Sequence, residues 1–120
     1  MEICEEMKKL RSILDDKKIL WVDASEEWEA YYRPDPEART ELRKYYIHRT
    51  WLQIDGKLIS VINGFGTTGG WSDFTPQNEG CLELMADGIN DGEPVGWLSA
   101  DDVIELLEKI WKVGGINDIT

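Results

Sequence analysis

The amino-acid sequence predicts an α+β protein: a mainly antiparallel sheet of about five strands, with an N-terminal and a C-terminal helix packed on one face. Three observations predict it. Two β-rich runs flank an Asp-Gly pair at residues 55–56, amphipathic helical stripes stand near both ends, and the runs between are short and separated by turn residues. Strands grouped in sequence pair as hairpins, and helices placed outside them cover one face of the resulting sheet. At 120 residues, with no internal repeat or linker, the chain reads as one domain over 1–120. That length closes a single core without disulfide or metal staples.

In residues 2–16, Ile3, Met7, Leu10 and Leu14 recur at three- and four-residue steps, the stripe of an amphipathic helix. Ile19, Leu20, Trp21 and Val22 follow as a short apolar run suited to a buried strand. Ser25 then precedes "EEWEAYY", where acids crowd the first turn and Trp28, Tyr31 and Tyr32 keep roughly helical spacing, so a helix is expected. "RPDPEA" stops it with two prolines. Residues 33–44 are expected to form a mobile insert, with a helical turn or two over 37–44 as the alternative.

The clearest local signal is "YYIHRTWLQI-DG-KLISVINGF". Asp-Gly tolerates positive φ at both central positions of a type I′ turn, and a two-residue loop sets the register. Ile54 then faces Lys57, Leu52 faces Ile59, Thr50 faces Val61, and His48 faces Asn63. Leu52, Ile54, Ile59 and Val61 share one side, while Arg49, Trp51, Gln53, Leu58, Ser60 and Ile62 form a mixed, half-covered other side. This hairpin is expected at the centre of the sheet. "CLELMAD" makes the next strand, "GINDGEP" a turn and "VGWL" a short last strand. Ser99, with Asp102 three residues on, caps a final helix whose buried stripe is Val103, Ile104, Leu107, Ile110 and Trp111. Residues 113–120 read as a frayed tail.

Six tryptophans and 42% apolar residues exclude a disordered chain. No run of about 18 apolar residues exists to span a membrane, and the acidic, helical start argues against a cleaved secretory signal. Cys4 and Cys81 lie far apart in the sequence and are expected reduced, in the cytoplasm (a host cell's, if phage-encoded). The net charge is −11. From Leu58 to Glu108 the acids are Asp73, Glu79, Glu83, Asp87, Asp91, Glu93, Asp101, Asp102, Glu105 and Glu108, with no lysine or arginine among them. Such a field repels nucleic acid and favours basic surfaces.

"GFGTTG" spells GxGxxG through Gly64, Gly66 and Gly69. A phosphate cradle also needs a helix after the loop to receive the anion, whereas "WSDFTPQNEG" follows, with acids and a proline. The loop is therefore read as a glycine-aromatic turn that displays Phe65, Trp71 or Phe74, with folding back onto the sheet edge as the alternative. The single histidine, His48, has no activated serine or cysteine motif around it. Zinc and calcium spacings are absent. No catalytic residue, cofactor or metal is expected, and an enzyme is the minority reading.

"LISVINGFGTTGG", "LELMADG" and "GEPVGWLSADDVIELL" resemble, in style, small acidic tryptophan-rich accessory proteins of phages and prophages, over about residues 45–112. That resemblance implies interference with a host defence system and carries over no particular residue. The leading expectation is a non-enzymatic inhibitor of anti-CRISPR type, mimicking nucleic acid toward a host protein with a basic surface, such as a nuclease. Its contacts are Asp73, Glu79, Asp87, Asp91 and Glu93, with Trp71 and Phe65 as aromatic anchors. The alternative is a sponge for a nucleotide second messenger, using Arg43, Tyr46, Arg49, Trp51, Gly66 and Gly69, with a homo-oligomer enclosing the ligand. A structural or assembly protein is the third.

Overall fold

The computed structural model describes residues 3–33, 36, 37, 39–73, 75 and 77–111. The expected 113–120 tail, Phe74 and part of the 33–44 insert lie outside them. In chain order the elements are α1 (Glu5–Asp16), β1 (Trp21–Asp23), β2 (Glu26–Tyr32), β3 (Glu41–Ile54), β4 (Lys57–Gly64), β5 (Leu82–Ala86), a 3-10 turn (Asn90–Gly92), β6 (Val95–Leu98) and α2 (Ala100–Trp111). The strands form one six-stranded antiparallel sheet in the order β1-β3-β4-β5-β6, with β2 also paired to β3. It is an α+β domain with a helix toward each end of the chain.

The central hairpin forms as the Asp-Gly rule dictates. Asp55 and Gly56 take φ of 52° and 75°, and Ile54↔Lys57, Leu52↔Ile59, Thr50↔Val61 and His48↔Asn63 are the observed pairs. Period two then sends Leu52, Ile54, Ile59, Val61, Leu82 and Leu84 to one side, where they are buried. The two helices cover that side. Met7, Leu10 and Leu14 of α1 meet Val103, Ile104, Leu107 and Ile110 of α2 and the sheet in one core. The side chain of Trp111 is outside the described residues.

Polar contacts fix the seat of α1. Buried Thr50 accepts a bond from Arg11 Nε at 2.8 Å and donates to Met7 Sδ at 3.2 Å. The same guanidinium lies 4.7 Å over the Trp21 ring and donates to Asp23 Oδ1 and the Arg49 carbonyl. At the start of α2 the expected reciprocal cap is present. The Ser99 amide donates to Asp102 Oδ2 at 3.0 Å, and the Asp102 amide donates to Ser99 Oγ at 3.1 Å. These bonds to Ser99 hold the Asp102 carboxyl below its ordinary 3.8.

Ser99→Ala is expected to cost about 1 kcal/mol of stability, read from a urea melt at neutral pH. The capping carboxylate stabilises the fold above its ordinary pKa. That stability is lost as pH falls from 3.8 through the lowered folded value, because the unfolded chain binds the proton first. The difference in stability between the wild type and Asp102→Asn should therefore shrink on acidification.

Three expectations need correction. Residues 26–32 form β2 and not a helix: Trp28, Tyr31 and Tyr32 are strong strand formers, and pairing with Glu41–Ile47 gives them cross-strand partners, with Trp28 stacked on Tyr45 at 5.7 Å. Glu41–Lys44, expected in the insert, is accordingly the opening of β3, and the strands number six. Finally, Ile19–Val22 is not a buried strand. Ile19 packs in the core, but β1 begins at Trp21, with Leu20 and Val22 exposed, because β1 lies at the border of the sheet, where only alternate residues reach the helices.

Candidate functional site: the half-open sheet face

The outer face of the sheet is divided in two by the connection between β4 and β5. From Gly64 the chain folds back over this face at the end nearest β2. Phe65 and Trp71 pack on Tyr45, with ring centroids 4.5 and 6.1 Å away, and on each other at 5.0 Å. Thr68 donates to Glu83 Oε1 at 3.1 Å. A Cβ on Gly70 would lie 2.1 Å from the Gly64 carbonyl, and Gly69 has φ +85° against Cys81, so the glycines allow backbone to approach backbone. Phe65 and Trp71 are thus half-buried in an intramolecular aromatic cluster with Tyr45 and Tyr46, which corrects the expectation of a displayed turn in favour of its fold-back alternative: ring-on-ring packing buries area that display would leave in water.

The loop is no anion cradle either. The amides of Phe65, Gly66, Thr67, Gly70 and Trp71 donate to the carbonyls of Tyr46, Trp71, Gly64, Thr67 and Gly64, whereas an anion nest requires convergent free N–H groups. Gly66 is exposed and Gly69 buried. The remaining members of the expected ligand site are gathered only in part, Arg49 beside Trp51. Arg43 is bonded to Asp73 Oδ1 at 2.6 Å and lies 3.6 Å over the Tyr32 ring. Tyr46 packs on His48 and Trp71. Arg49 stands six residues further along β3 from Arg43, roughly 20 Å away, and pairs with Glu26 at 3.4 Å.

The acids of the later half do not share one flank. Asp73 and Glu79 belong to the connection at the Gly64 end of the sheet, whereas Asp87, Asp91 and Glu93 lie between β5 and β6 at the opposite end, beside the Asp55-Gly56 turn. Arg43 neutralises Asp73, Lys9 pairs with Asp101 at 2.9 Å, and Asp102 caps α2. Sequence position is a poor guide to surface position in a sheet, because successive turns alternate between its two ends. Of the expected acidic contacts, Asp87, Asp91 and Glu93 stay together, exposed on one loop.

The far half of the outer face is uncovered. Val22, Trp51, Ser60 and Met85 stand side by side in one row across β1, β3, β4 and β5, and Leu58 lies one step along, opposite Gln53. Val22, Trp51, Leu58 and Met85 are 61%, 40%, 57% and 52% exposed. Arg49, Trp51, Leu58, Ser60, Met85, Ala86, Asp87 and Gly92 line a shallow cleft of about 520 Å³ there. Arg49 lies 5.8 Å over the Trp51 ring. Trp51 was expected at a ligand site and Leu58 on a mixed face; Val22 and Met85 were missed. The available signal was parity: large apolar residues out of phase with the buried set.

His48, at the hairpin end nearest β2, is driven below its usual 6.5 by burial and by the nearby Arg11 charge. Cys4 and Cys81 are free thiols, half-buried, and burial raises the Cys4 pKa. Among the described residues no group of three or more His, Cys, Asp or Glu is placed to hold a metal ion. No helix among them is long and apolar enough to cross a membrane.

Fold and site together define a small α+β domain whose sheet is covered by helices on one side and only half covered on the other. Comparison with protein-family models, with curated proteins and with solved structures finds no match to this chain.

Proposed function

We propose that this protein is a non-enzymatic binding protein whose uncovered half-sheet docks on a partner protein that carries an apolar patch with a basic rim. One observation supports the reading: Val22, Trp51, Leu58 and Met85 are contiguous across four strands and exposed together. Single exposed apolar residues are ordinary, whereas a contiguous patch on a rigid sheet marks a contact surface. Tryptophan, methionine and arginine are the side chains that such surfaces favour. The basic rim follows from Asp87, in the cleft wall, from Asp91 and Glu93 on the same loop, and from the net charge of −11. Like charge on a second copy disfavours self-association through this face. A host defence nuclease, the partner class implied by the phage-type resemblance, offers such a basic surface. The 87–93 carboxylates then stand in for part of a phosphate backbone.

The test compares what the wild type and Trp51→Ser retain from a host-cell lysate, followed by titration of the retained protein. Trp51 is outside the core, so the variant should melt like the wild type. It should bind about 30-fold more weakly or worse, as for a central aromatic anchor. Neutralising Asp87, Asp91 and Glu93 together should weaken binding and flatten its salt dependence. A retained protein indifferent to Trp51→Ser overturns the reading. So does a wild-type dimer that Trp51→Ser dissolves, which assigns the face to a second copy. Heat with a nucleotide panel favours the sponge instead.

A further inference from the structure

The sheet has two borders, and they are built differently. On one, β6 is four residues long, loses register between Leu82 and Leu84, holds Trp97 at φ 59°, and has Thr68 packed against Gly96. Each of these blunts an edge against added strands. On the other border β1 is only three residues long. There β2 runs seven residues, Glu26–Tyr32, in unbroken register with β3, and pairs with no other described strand. It contains no proline, lysine or bulge. Over roughly 23 Å its outer side offers alternating N–H and C=O groups for a further strand.

We propose that the outer edge of β2 receives an extended basic segment of a partner protein as an added strand. The charge on the edge selects the occupant. Glu26, Glu27 and Glu29 fall within four consecutive residues and are exposed. Glu27 and Glu29 lie on one face of the strand and Trp28 on the other, since side chains alternate. An incoming strand of basic–apolar–basic pattern sets two cations beside Glu27 and Glu29 and its apolar residue beside Trp28. Depressions adjoin the first residues of β2 on both faces, one lined by Tyr46 and His48 and the other by Trp28, each shared with Ser25, Glu26, Glu27 and Ile47. A second copy of this chain is disfavoured in the registers centred on the acidic stretch: antiparallel self-pairing centred on Trp28 sets Glu27 against Glu29, and centring on Glu29 sets that carboxylate against its own copy. Backbone pairing supplies affinity and the alternating side chains supply selectivity, as in other strand-addition modes.

This inference is independent of the half-open face. The probe is the capped peptide Lys-Val-Lys-Val-Lys-Val, titrated against the intact protein by calorimetry and by amide hydrogen exchange. Binding should protect alternate amides within Glu26–Tyr32, those not already paired to β3. The double variant Glu27→Lys/Glu29→Lys should bind about tenfold more weakly, whereas Trp51→Ser should bind unchanged. The peptide Lys-Pro-Lys-Pro-Lys-Pro carries the same charge but lacks half the donors, and it should bind at least about tenfold more weakly. Equal binding of the two peptides reduces the effect to bulk charge and overturns the proposal. Absence of binding at millimolar peptide, or protection confined to the half-open face, overturns it equally.

Discussion

Leu84→Ala is expected to cost about 2–5 kcal/mol, enough to lower the urea midpoint by roughly 1 M or more. Leu84 is fully buried at the middle of β5, paired with Val61 on one side and Val95 on the other, in the core that α2 closes. Truncation removes the apolar area of the side chain and leaves a cavity between a paired strand and a helix, neither of which can collapse freely. Small domains hold only about 5–15 kcal/mol in total, so the variant should be marginal at 37 °C. Met85→Ala, one residue on and exposed on the other face, should lie within about 0.5 kcal/mol of the wild type. Equal costs at the two positions would refute the assignment of faces.

Asn63→Ala is the second large effect. Asn63 is fully buried on the helix-facing side of β4. Its Nδ2 donates to Asn78 Oδ1 at 3.1 Å and to the Cys81 carbonyl at 2.8 Å, and its Oδ1 accepts from Asn78 Nδ2 at 2.8 Å. Asn78 in turn accepts from the Gly80 amide at 2.8 Å. The amide pair ties the end of β4 to the entry of β5 and so closes the connection that lies over half the outer face. Alanine takes the partner from the Asn78 Nδ2 and from the half-buried Cys81 carbonyl, at up to about 1–3 kcal/mol for each. A urea melt should show a loss of roughly 2–4 kcal/mol, and amide exchange over residues 65–80 should accelerate. Asn63→Asp, which keeps shape but cannot donate, should be no better than alanine at neutral pH. A near-neutral alanine variant would mean that water replaces the amide and that the tie is dispensable.

Much of the fold was legible because its signals are local. Asp55-Gly56 set the turn and, through it, four residue pairs of the hairpin. Ser99 and Asp102 announced the start of α2, and two apolar stripes announced the helices. "EEWEAYY" misled because an acidic first turn and an i, i+3 aromatic pair mimic a helix start. What makes the segment a strand is residues 41–47, across "RPDPEA", whose pairing with it no window of helical length contains.

The site was less legible than the fold. Trp51 and Arg49, both expected at the ligand site, do meet in the open cleft, although Arg49 also pairs with Glu26, whereas Arg43 is held by Asp73. The acidic half suggested one flank, yet hairpin turns send Asp73 and Asp87 to opposite ends of the sheet.

By itself, the order of residues determined the cap of α2, the hairpin register and which hairpin positions face the core, since torsional preference and side-chain period act within a few residues. Only the tertiary structure decided that Phe65 and Trp71 cover half of the outer face, that Val22, Trp51, Leu58 and Met85 remain open on the other half, and that β2 stands at an unblunted border. The physical reason is that coverage and pairing are set by contacts between segments distant in the chain, whose energies depend on the assembled sheet.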